Sequence, residues 1–354
     1  MAVAHVEAPT IAVLDHRPWW RSRLTLSTAV VGAMVVCYYA LSHNHPWPAA
    51  LEWSSLTRYL DNFQAWLSNQ GNAAHPNLFV RVLNGISSGL STLVDWLYQA
   101  FTKMRWPGTT ALGTLIALRF GGLRAGAIML GAFASFGLVG LWDESMQTFA
   151  LMLAAVGLSL AVGVPLGVVA GKSAGFNRAI TPVLDAMQIV PAFGYLMPVV
   201  IFFSVGAGAA VITTMIYAVP PAIRITALGI RGVPANTVEA AASMGSTSLQ
   251  MLGKVQLPLA RRMLLLSVNQ TILFALSMVV IAGLIGGSGL GDAVTNGLYS
   301  DPALAILAGG AIVVMAIALD RVTEAIADYT DPARRHLDAA AKRLAHAATA
   351  AAAA

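Results

Sequence analysis

Long apolar runs constrain the fold of this chain more than any other feature of its sequence. Six clear runs cover residues 24–42, 147–170, 182–205, 209–228, 263–285 and 302–319. An α-helix needs about 20 apolar residues to cross the roughly 30 Å of hydrocarbon in a bilayer. Two weaker runs, 107–121 and 123–141, are interrupted by arginine and glycine. We therefore predict an all-α, polytopic membrane protein with about eight transmembrane helices.

The composition excludes the main alternatives to a membrane protein. Of the 354 residues, 57% are hydrophobic and only 10% are charged, whereas an ordinary soluble domain has about 25% charged residues. A soluble enzyme, a disordered chain and a fibrous protein are all disfavoured. The net charge of +5 comes from short clusters rather than a dense stripe, so we expect no nucleic-acid partner.

The basic residues between the apolar runs predict how the helices are oriented. With a cytosolic N-terminus, every short loop rich in lysine or arginine falls in the cytosol when eight spans are counted, as the positive-inside rule requires. We expect the C-terminus there too, and residues 79–103 on the membrane surface or against the bundle. The predicted regions are a cytosolic N-terminal segment (1–23), accessory spans with an external amphipathic region (24–145), a core domain (146–328) and an Ala-rich cytosolic tail (329–354).

Several kinds of chemistry are disfavoured by the residues inside the predicted spans. All seven histidines lie outside them, and Asp185 and Asp320 lie only near their ends. Proton-coupled carriers usually keep ionisable groups at mid-membrane, so we disfavour one here, although backbone carbonyls can still hold sodium. We predict no metal site and no catalytic residue. The glycines between 286 and 291 match no complete nucleotide fingerprint and are interpreted as a flexible outer turn.

The cytosolic stretch 231–262 is the most informative segment. Asn236 can cap a short helix whose third residue is Glu239, the spacing of a capping box. Gly245 supplies a sharp turn, because it carries no Cβ. Thr247 and Gln250 can then cap a second short helix. These features predict a cytosolic knob, which serves either as a structural loop or as a docking element.

The knob ends where the next span begins. Leu257 and Pro258 predict a break there, since proline has no amide proton to continue a helical hydrogen-bond ladder.

The same residues carry a resemblance to a known family. Glu239-Ala240-Ala241, then Gly245, then Val255-Gln256-Leu257-Pro258 resemble the EAA loop of ABC importer permeases in both type and spacing. The resemblance implies the type I, MetI-like permease fold. It also implies that Glu239, Ala240, Ala241, Gly245, Leu257 and Pro258 couple the chain to an ATPase.

Further segments narrow the resemblance to the glycine betaine/proline betaine permeases. They are residues 184–196, 220–226, 255–260, 269–271 and 277–291. The resemblance implies a permease subunit in a bacterial inner membrane that pairs with a second copy of itself. It also implies an ABC ATP-binding subunit that holds ATP and magnesium, and an external substrate-binding protein or domain. This chain would itself hold no cofactor and would not be an enzyme.

Five side chains are candidates for lining a translocation path, because polar groups within hydrocarbon face protein or water. They are Gln188, Phe193, Tyr195, Asn269 and Gln270. Interhelical hydrogen bonding is the alternative for the polar ones. The two aromatic rings either hold a quaternary ammonium by cation–π attraction or pack against neighbours.

Two alternative functions remain open from the sequence. One is an ABC importer permease for another small solute, and the other is a sodium-coupled carrier that works alone.

Overall fold

The described residues of a computed structural model, 23–42, 54–71 and 77–330, are helical apart from short turns. The α-helices are Arg23–Cys37 (α1), Ser54–Gly71 (α2), Leu78–Leu138 (α3), Trp142–Lys172 (α4), Ala174–Ile189 (α5), Leu196–Phe203 (α6), Ala207–Arg231 (α7), Ala235–Ser243 (α8), Ser248–Gln250 (α9), Leu257–Gly283 (α10), Leu290–Ser300 (α11) and Pro302–Thr330 (α12). The predicted all-α class is therefore confirmed for this part of the chain. Most of the predicted N-terminal segment and Ala-rich tail lies outside the described residues.

The chain divides into two units, residues 1–66 and 67–354. In the first, α1 is followed by a π-helical turn, Tyr38–Ser42, so the run predicted at 24–42 is helical. Its apolar part, Leu26–Ala40, is short.

The larger unit contains the helices that are long and apolar enough to cross a membrane. Within the described residues there are five such helices, or six if one sharply bent pair counts as a single span. The predicted count of eight is not confirmed, since Leu26–Ala40 is too short and both weaker runs fall within α3.

The 61-residue α3 is three helical segments in series, divided at Arg105 (φ 54°) and Gly122 (φ 67°). The second and third segments fold back on each other: a Cβ built on Gly113 would lie 2.5 Å from the Phe133 ring, and one on Gly126 would lie 2.3 Å from Leu118. The positive φ at Gly122 makes the turn, because residues with a side chain rarely adopt it. The two weaker runs are therefore the arms of one helical hairpin.

The first segment of α3 packs against the N-terminal end of α7. The hydroxyl of Ser91 accepts a hydrogen bond from the Gly208 amide at 3.0 Å, and that of Ser87 donates to the Phe203 carbonyl at 3.0 Å. Residues 79–103, predicted on the membrane surface or against the bundle, therefore lie against the bundle.

The run predicted as one span at 182–205 is broken. Helix α5 ends at Ile189, a 3₁₀ turn covers Ala192–Tyr195, and α6 follows, with a bend of 108° between the two halves. Pro191 lies at the break and has no amide proton to continue α5. In α6, Leu196 and Val199 are buried in a cluster with Met278, and this packing fixes the new direction.

Helices α4 and α7 approach each other closely along a stripe of glycines, Gly163, Gly167 and Gly171. A Cβ on Gly163 would lie 2.5 Å from the Cβ of Ala222, and one on Gly171 would lie 2.7 Å from the Cβ of Ile230. Small residues four apart let membrane helices pack backbone to backbone. This pair of helices carries the segment described next.

The turn between α10 and α11 differs from the prediction of a flexible glycine turn. A Cβ on Gly291 would lie 2.2 Å from the Val279 carbonyl oxygen, and one on Gly289 would lie 2.5 Å from the Thr148 hydroxyl. The buried Thr148 hydroxyl also accepts a hydrogen bond from the Leu290 amide at 2.8 Å. These glycines therefore permit close packing, and the turn is tied to α4.

Candidate functional site

The segment between α7 and α10 forms two short helical pieces joined by a turn. Gly245 adopts φ +79° between α8 and α9. In the turn, the Gly245 amide donates to the Ala242 carbonyl at 2.9 Å and the Ser246 amide donates to the Ala241 carbonyl at 3.2 Å. We call residues 235–256 the coupling loop.

The start of α9 agrees with the prediction. The Gln250 amide donates to the Thr247 hydroxyl at 3.3 Å, and the Thr247 amide donates to the Gln250 side-chain oxygen at 2.9 Å. The predicted cap by Thr247 and Gln250 is thus confirmed, and the structure shows that it is a capping box. Each side chain satisfies one of the amides that a helix start leaves unpaired.

The predicted cap at the start of α8 is wrong. The N-cap is Pro234, which makes no side-chain hydrogen bond, and Asn236 lies inside the helix, where its side-chain oxygen accepts from the Thr237 amide at 2.9 Å. Proline has a φ near −60° fixed by its ring, so α8 begins earlier than the Asn236 cap would allow.

The predicted break at Leu257–Pro258 is also absent. A π-helical turn, Met251–Gln256, runs into α10, where Pro258 lies in the first turn. Proline is tolerated in the first turn of a helical segment, because its ring fixes φ near the helical value. Residues Ser248–Gly283 therefore form one continuous rod.

The predicted coupling residues differ in exposure. Glu239, Ala240, Gly245 and Pro258 are exposed, and Leu257 is half-buried. Ala241 is only 4% exposed, so it faces its own chain and is not available to a partner.

The base of the coupling loop is fixed to the ends of α4 and α7. Ile230, Val233 and Ala260 are buried together, with Val238 and Leu252 packed against them.

Two basic side chains reinforce this base. The Arg231 guanidinium donates to the Ala170 carbonyl and, at 3.4 Å, to that of Gly171. A cation at a helix C-terminus is favourable, since the last carbonyls carry partial negative charge. Lys172 in turn donates to the Ser248 carbonyl at 3.4 Å.

The tip of the coupling loop exposes apolar side chains. Met244 is 80% exposed and Leu249 is 81% exposed, one on each side of the Gly245 turn. Exposed apolar groups on a fixed base are typical of a surface that docks another protein. Sequence reasoning did not select these two residues, although their position beside Gly245 was a usable signal.

Three predicted path residues lie around the break between α5 and α6. Gln188 is exposed on α5, and Phe193, in the 3₁₀ turn, is 61% exposed. Tyr195 is half-buried, and its hydroxyl donates to the Met187 carbonyl. The structure brings these three side chains into one region.

Asn269 and Gln270 lie elsewhere, on α10. The Asn269 side chain bridges to α12: its amide donates to Asp320 at 2.9 Å, and its oxygen accepts from the Thr323 hydroxyl at 3.0 Å. Asn269, Asp320 and Thr323 line a cavity of about 510 Å³, which Arg262 also lines. For Asn269 the geometry is that of interhelical hydrogen bonding. Gln270 is half-buried.

One pair of charged residues was missed from the sequence. The Arg224 guanidinium on α7 donates to the Asp185 carboxylate on α5. Both residues lie inside the predicted runs 182–205 and 209–228, and α7 continues beyond Arg224 to Arg231. Two opposite charges in neighbouring apolar runs were a usable signal.

Comparison with known proteins agrees with this architecture. The family described as a binding-protein-dependent transport system inner membrane component matches residues 163–336. The solved structure titled as inward-facing conformations of the MetNI methionine ABC transporter is similar in fold, with a TM-score of 0.51 and 20% identity over 54% of this chain and 96% of that one.

Curated relatives are more similar in sequence. The glycine betaine/proline betaine transport system permease ProW of Escherichia coli K12 is 41% identical, with 70% of each chain covered. The glycine betaine permease OpuAB of Bacillus subtilis 168 is 39% identical over 77% of this chain and 94% of its own length. The glycine betaine/carnitine permease GbuB of Listeria monocytogenes is 40% identical over 70% of this chain and 88% of its own length.

The resemblance noted from the EAA-type loop is thereby confirmed, together with the MetI-like fold. This chain belongs to the family of binding-protein-dependent transport system inner membrane components, the membrane permeases of ABC importers.

Proposed function

We propose that this permease takes up glycine betaine, proline betaine or a related quaternary ammonium osmolyte in an ATP-driven importer. The substrates of its relatives, as their names give them, support the substrate class. The observation that carries the mechanism is the coupling loop, which presents exposed Met244 and Leu249 on a base fixed to α4 and α7. Such a surface can receive force from a docked subunit without deforming.

The partner at the coupling loop is an ABC ATP-binding subunit, which binds ATP and magnesium and performs the hydrolysis. Glu239 lies exposed on α8, where it can pair with a basic residue of that subunit. Ala240 and Gly245 allow close approach, Ala241 and Leu257 hold the loop against its own bundle, and the exposed Pro258 lies where the loop enters α10. A second copy of the permease and an external binding protein complete the importer.

The orientation follows from the positions of the basic residues. Lys172 and Arg231 lie at the end of the bundle that carries the coupling loop, and cytoplasmic loops are enriched in such residues. We place this end, and both termini, in the cytosol of a bacterium, with the helices in its inner membrane. Residues 24–145 are then accessory, and 146–328 form the core.

The translocation path in this proposal runs past the break between α5 and α6. Gln188, Phe193 and Tyr195 line it, and the exposure of the first two supports that role. The other two candidates lie on α10, where Asn269 joins α10 to α12 and the half-buried Gln270 is retained as a candidate for the path.

Reconstitution tests the transport proposal. The permease is placed in proteoliposomes with its ATP-binding subunit and binding protein, and uptake of radiolabelled glycine betaine is measured with ATP and with a non-hydrolysable analogue. We expect uptake only with ATP and with the ATP-binding subunit present. Uptake by the permease alone would instead support a sodium-coupled carrier, and a panel of competing solutes defines the substrate.

Variants of the coupling loop test the docking role. Glu239→Gln removes a charge, and Gly245→Ala imposes a left-handed backbone on a residue with a side chain, at a cost of about 1 kcal/mol. Both should lower the amount of substrate imported per ATP hydrolysed while membrane insertion is kept. Gly245→Asn is the matched control, because asparagine tolerates φ > 0. Wild-type coupling in both Glu239→Gln and Gly245→Ala would contradict the docking role.

A further inference from the structure

Arg224 and Asp185 place a full positive and a full negative charge inside the helical bundle. Arg224 lies seven residues before the end of α7 at Arg231, a distance of about 10 Å along the helix axis. The side chains of the pair are 36% and 50% exposed. Charged groups within a membrane-spanning helix face protein or water rather than lipid, and the exposed side of this pair is therefore a candidate for the proposed path.

The packing of α5 agrees with that direction. Leu184, next to Asp185, packs with Val219 and Ile223 of α7, so this contact holds α5 against α7 beside the charge pair. Gln188 follows Asp185 by three residues and is exposed, and residues at that spacing lie on the same helix face. The charge pair therefore lies next to Gln188, one of the residues proposed to line the path.

The ion pair leaves a donor unused. The Nε atom of Arg224 is buried and makes no hydrogen bond within the described part of the chain. A buried donor without an acceptor is unfavourable. Among the described residues, Asp185 is thus the acceptor that holds the Arg224 guanidinium, and an anion that displaced it would meet no second acceptor there.

We propose that Arg224 and Asp185 form a binding site for a zwitterionic substrate within the path; this rests on the proposed function. The substrate carboxylate accepts hydrogen bonds from the Arg224 guanidinium, and its quaternary ammonium lies beside the Asp185 carboxylate. The ligand thus replaces one internal ion pair with two intermolecular ones, and no charge is left unpaired. A simple cation or anion would pair with only one of the two residues and would leave the other without its partner.

The test uses the complete importer in proteoliposomes, with radiolabelled glycine betaine as the probe. The main variant, Asp185→Leu with Arg224→Met, removes both charges together. A merely structural ion pair tolerates such a replacement, since apolar residues of similar volume are often neutral or stabilising. A binding site would lose its ligand contacts in this variant. We therefore expect uptake to fall by about tenfold or more while binding-protein-stimulated ATP hydrolysis persists. Wild-type uptake in this double variant would overturn the proposal.

A second measurement reads ligand choice directly. Glycine betaine and choline, which lacks the carboxylate, are bound to the permease with its ATP-binding subunit in the absence of binding protein. Arg224→Gln should weaken the binding of glycine betaine and leave the binding of choline unchanged or stronger. The ratio of the two affinities should therefore shift toward choline by about tenfold. An unshifted ratio would overturn the proposal.

The control is a matched ion pair elsewhere in the chain. Arg321 and Glu324 pair on α12 at 2.9 Å with similar exposure, 54% and 55%. Arg321→Gln should leave both uptake and the binding ratio unchanged. If the wild-type importer itself takes up no glycine betaine, the proposed function fails as well; if it does and the Arg224 and Asp185 variants match it, only the binding-site proposal fails.

Discussion

Replacing Gly167 with alanine should separate α4 from α7 and destabilise the permease. The added Cβ would lie 2.6 Å from the Cβ of Thr226 and 2.7 Å from the backbone oxygen of Ile223. The second distance is about 0.7 Å below the 3.4 Å at which ordinary contact begins, and a backbone atom cannot rotate away. Overpacking of this kind costs about 1–3 kcal/mol.

Gly157→Ala is the matched control in the same helix, because its Cβ would meet nothing within 4 Å. Alanine gains up to about 1 kcal/mol over glycine in a helix at either site, so the difference between the two variants isolates the steric cost. The thermal unfolding of both proteins is followed in nanodiscs by intrinsic fluorescence.

At about 2–4 °C per kcal/mol for a chain of this order of size, Gly167→Ala should have a Tm at least about 2 °C below that of Gly157→Ala. The shift should be accompanied by weaker coupling, since Arg231 ties the end of α4 to the loop base. An equal or higher Tm for Gly167→Ala would refute the close-packing argument.

Two further variants test hydrogen bonds between helices. Thr148→Val leaves the buried Leu290 amide without its acceptor and should cost about 1–3 kcal/mol in unfolding free energy; Thr213→Val, which removes a bond only within its own helix, is the control, and equal Tm values would contradict the assignment. Asn269→Leu breaks the bridge to Asp320 and should lower the Tm while leaving substrate preference unchanged; an altered preference at unchanged Tm would instead give Asn269 a direct role in the path.

Features set by nearby residues were predictable from the sequence. The Thr247–Gln250 capping box was found because both partners lie within one helical turn. The long apolar runs predicted the helical class because the bilayer sets the length of a spanning helix. The spacing from Glu239 to Pro258 identified the coupling loop, because all of its residues lie in one continuous segment of the sequence.

Features set by distant packing were not predictable in this way. The proline at the α5 break was visible, but the 108° change of direction depends on the cluster that buries Leu196 and Val199. The Arg224–Asp185 pair joins residues 39 apart in the chain, and hydropathy places both in apolar runs without showing that their side chains meet. The burial of Ala241 depends likewise on how α8 lies against its base.

The continuity of the rod from Ser248 to Gly283 has a mechanical consequence. Its 36 residues correspond to about 54 Å along the helix axis, more than the thickness of the hydrocarbon layer. A displacement of the end at Ser248 is transmitted along the whole helix, because the helix is continuous. The π-helical turn at Met251–Gln256 is the one irregular part of this rod. Motion of the coupling loop therefore reaches the opposite end of α10, where Gly289 and Gly291 pack closely against α4 and α10.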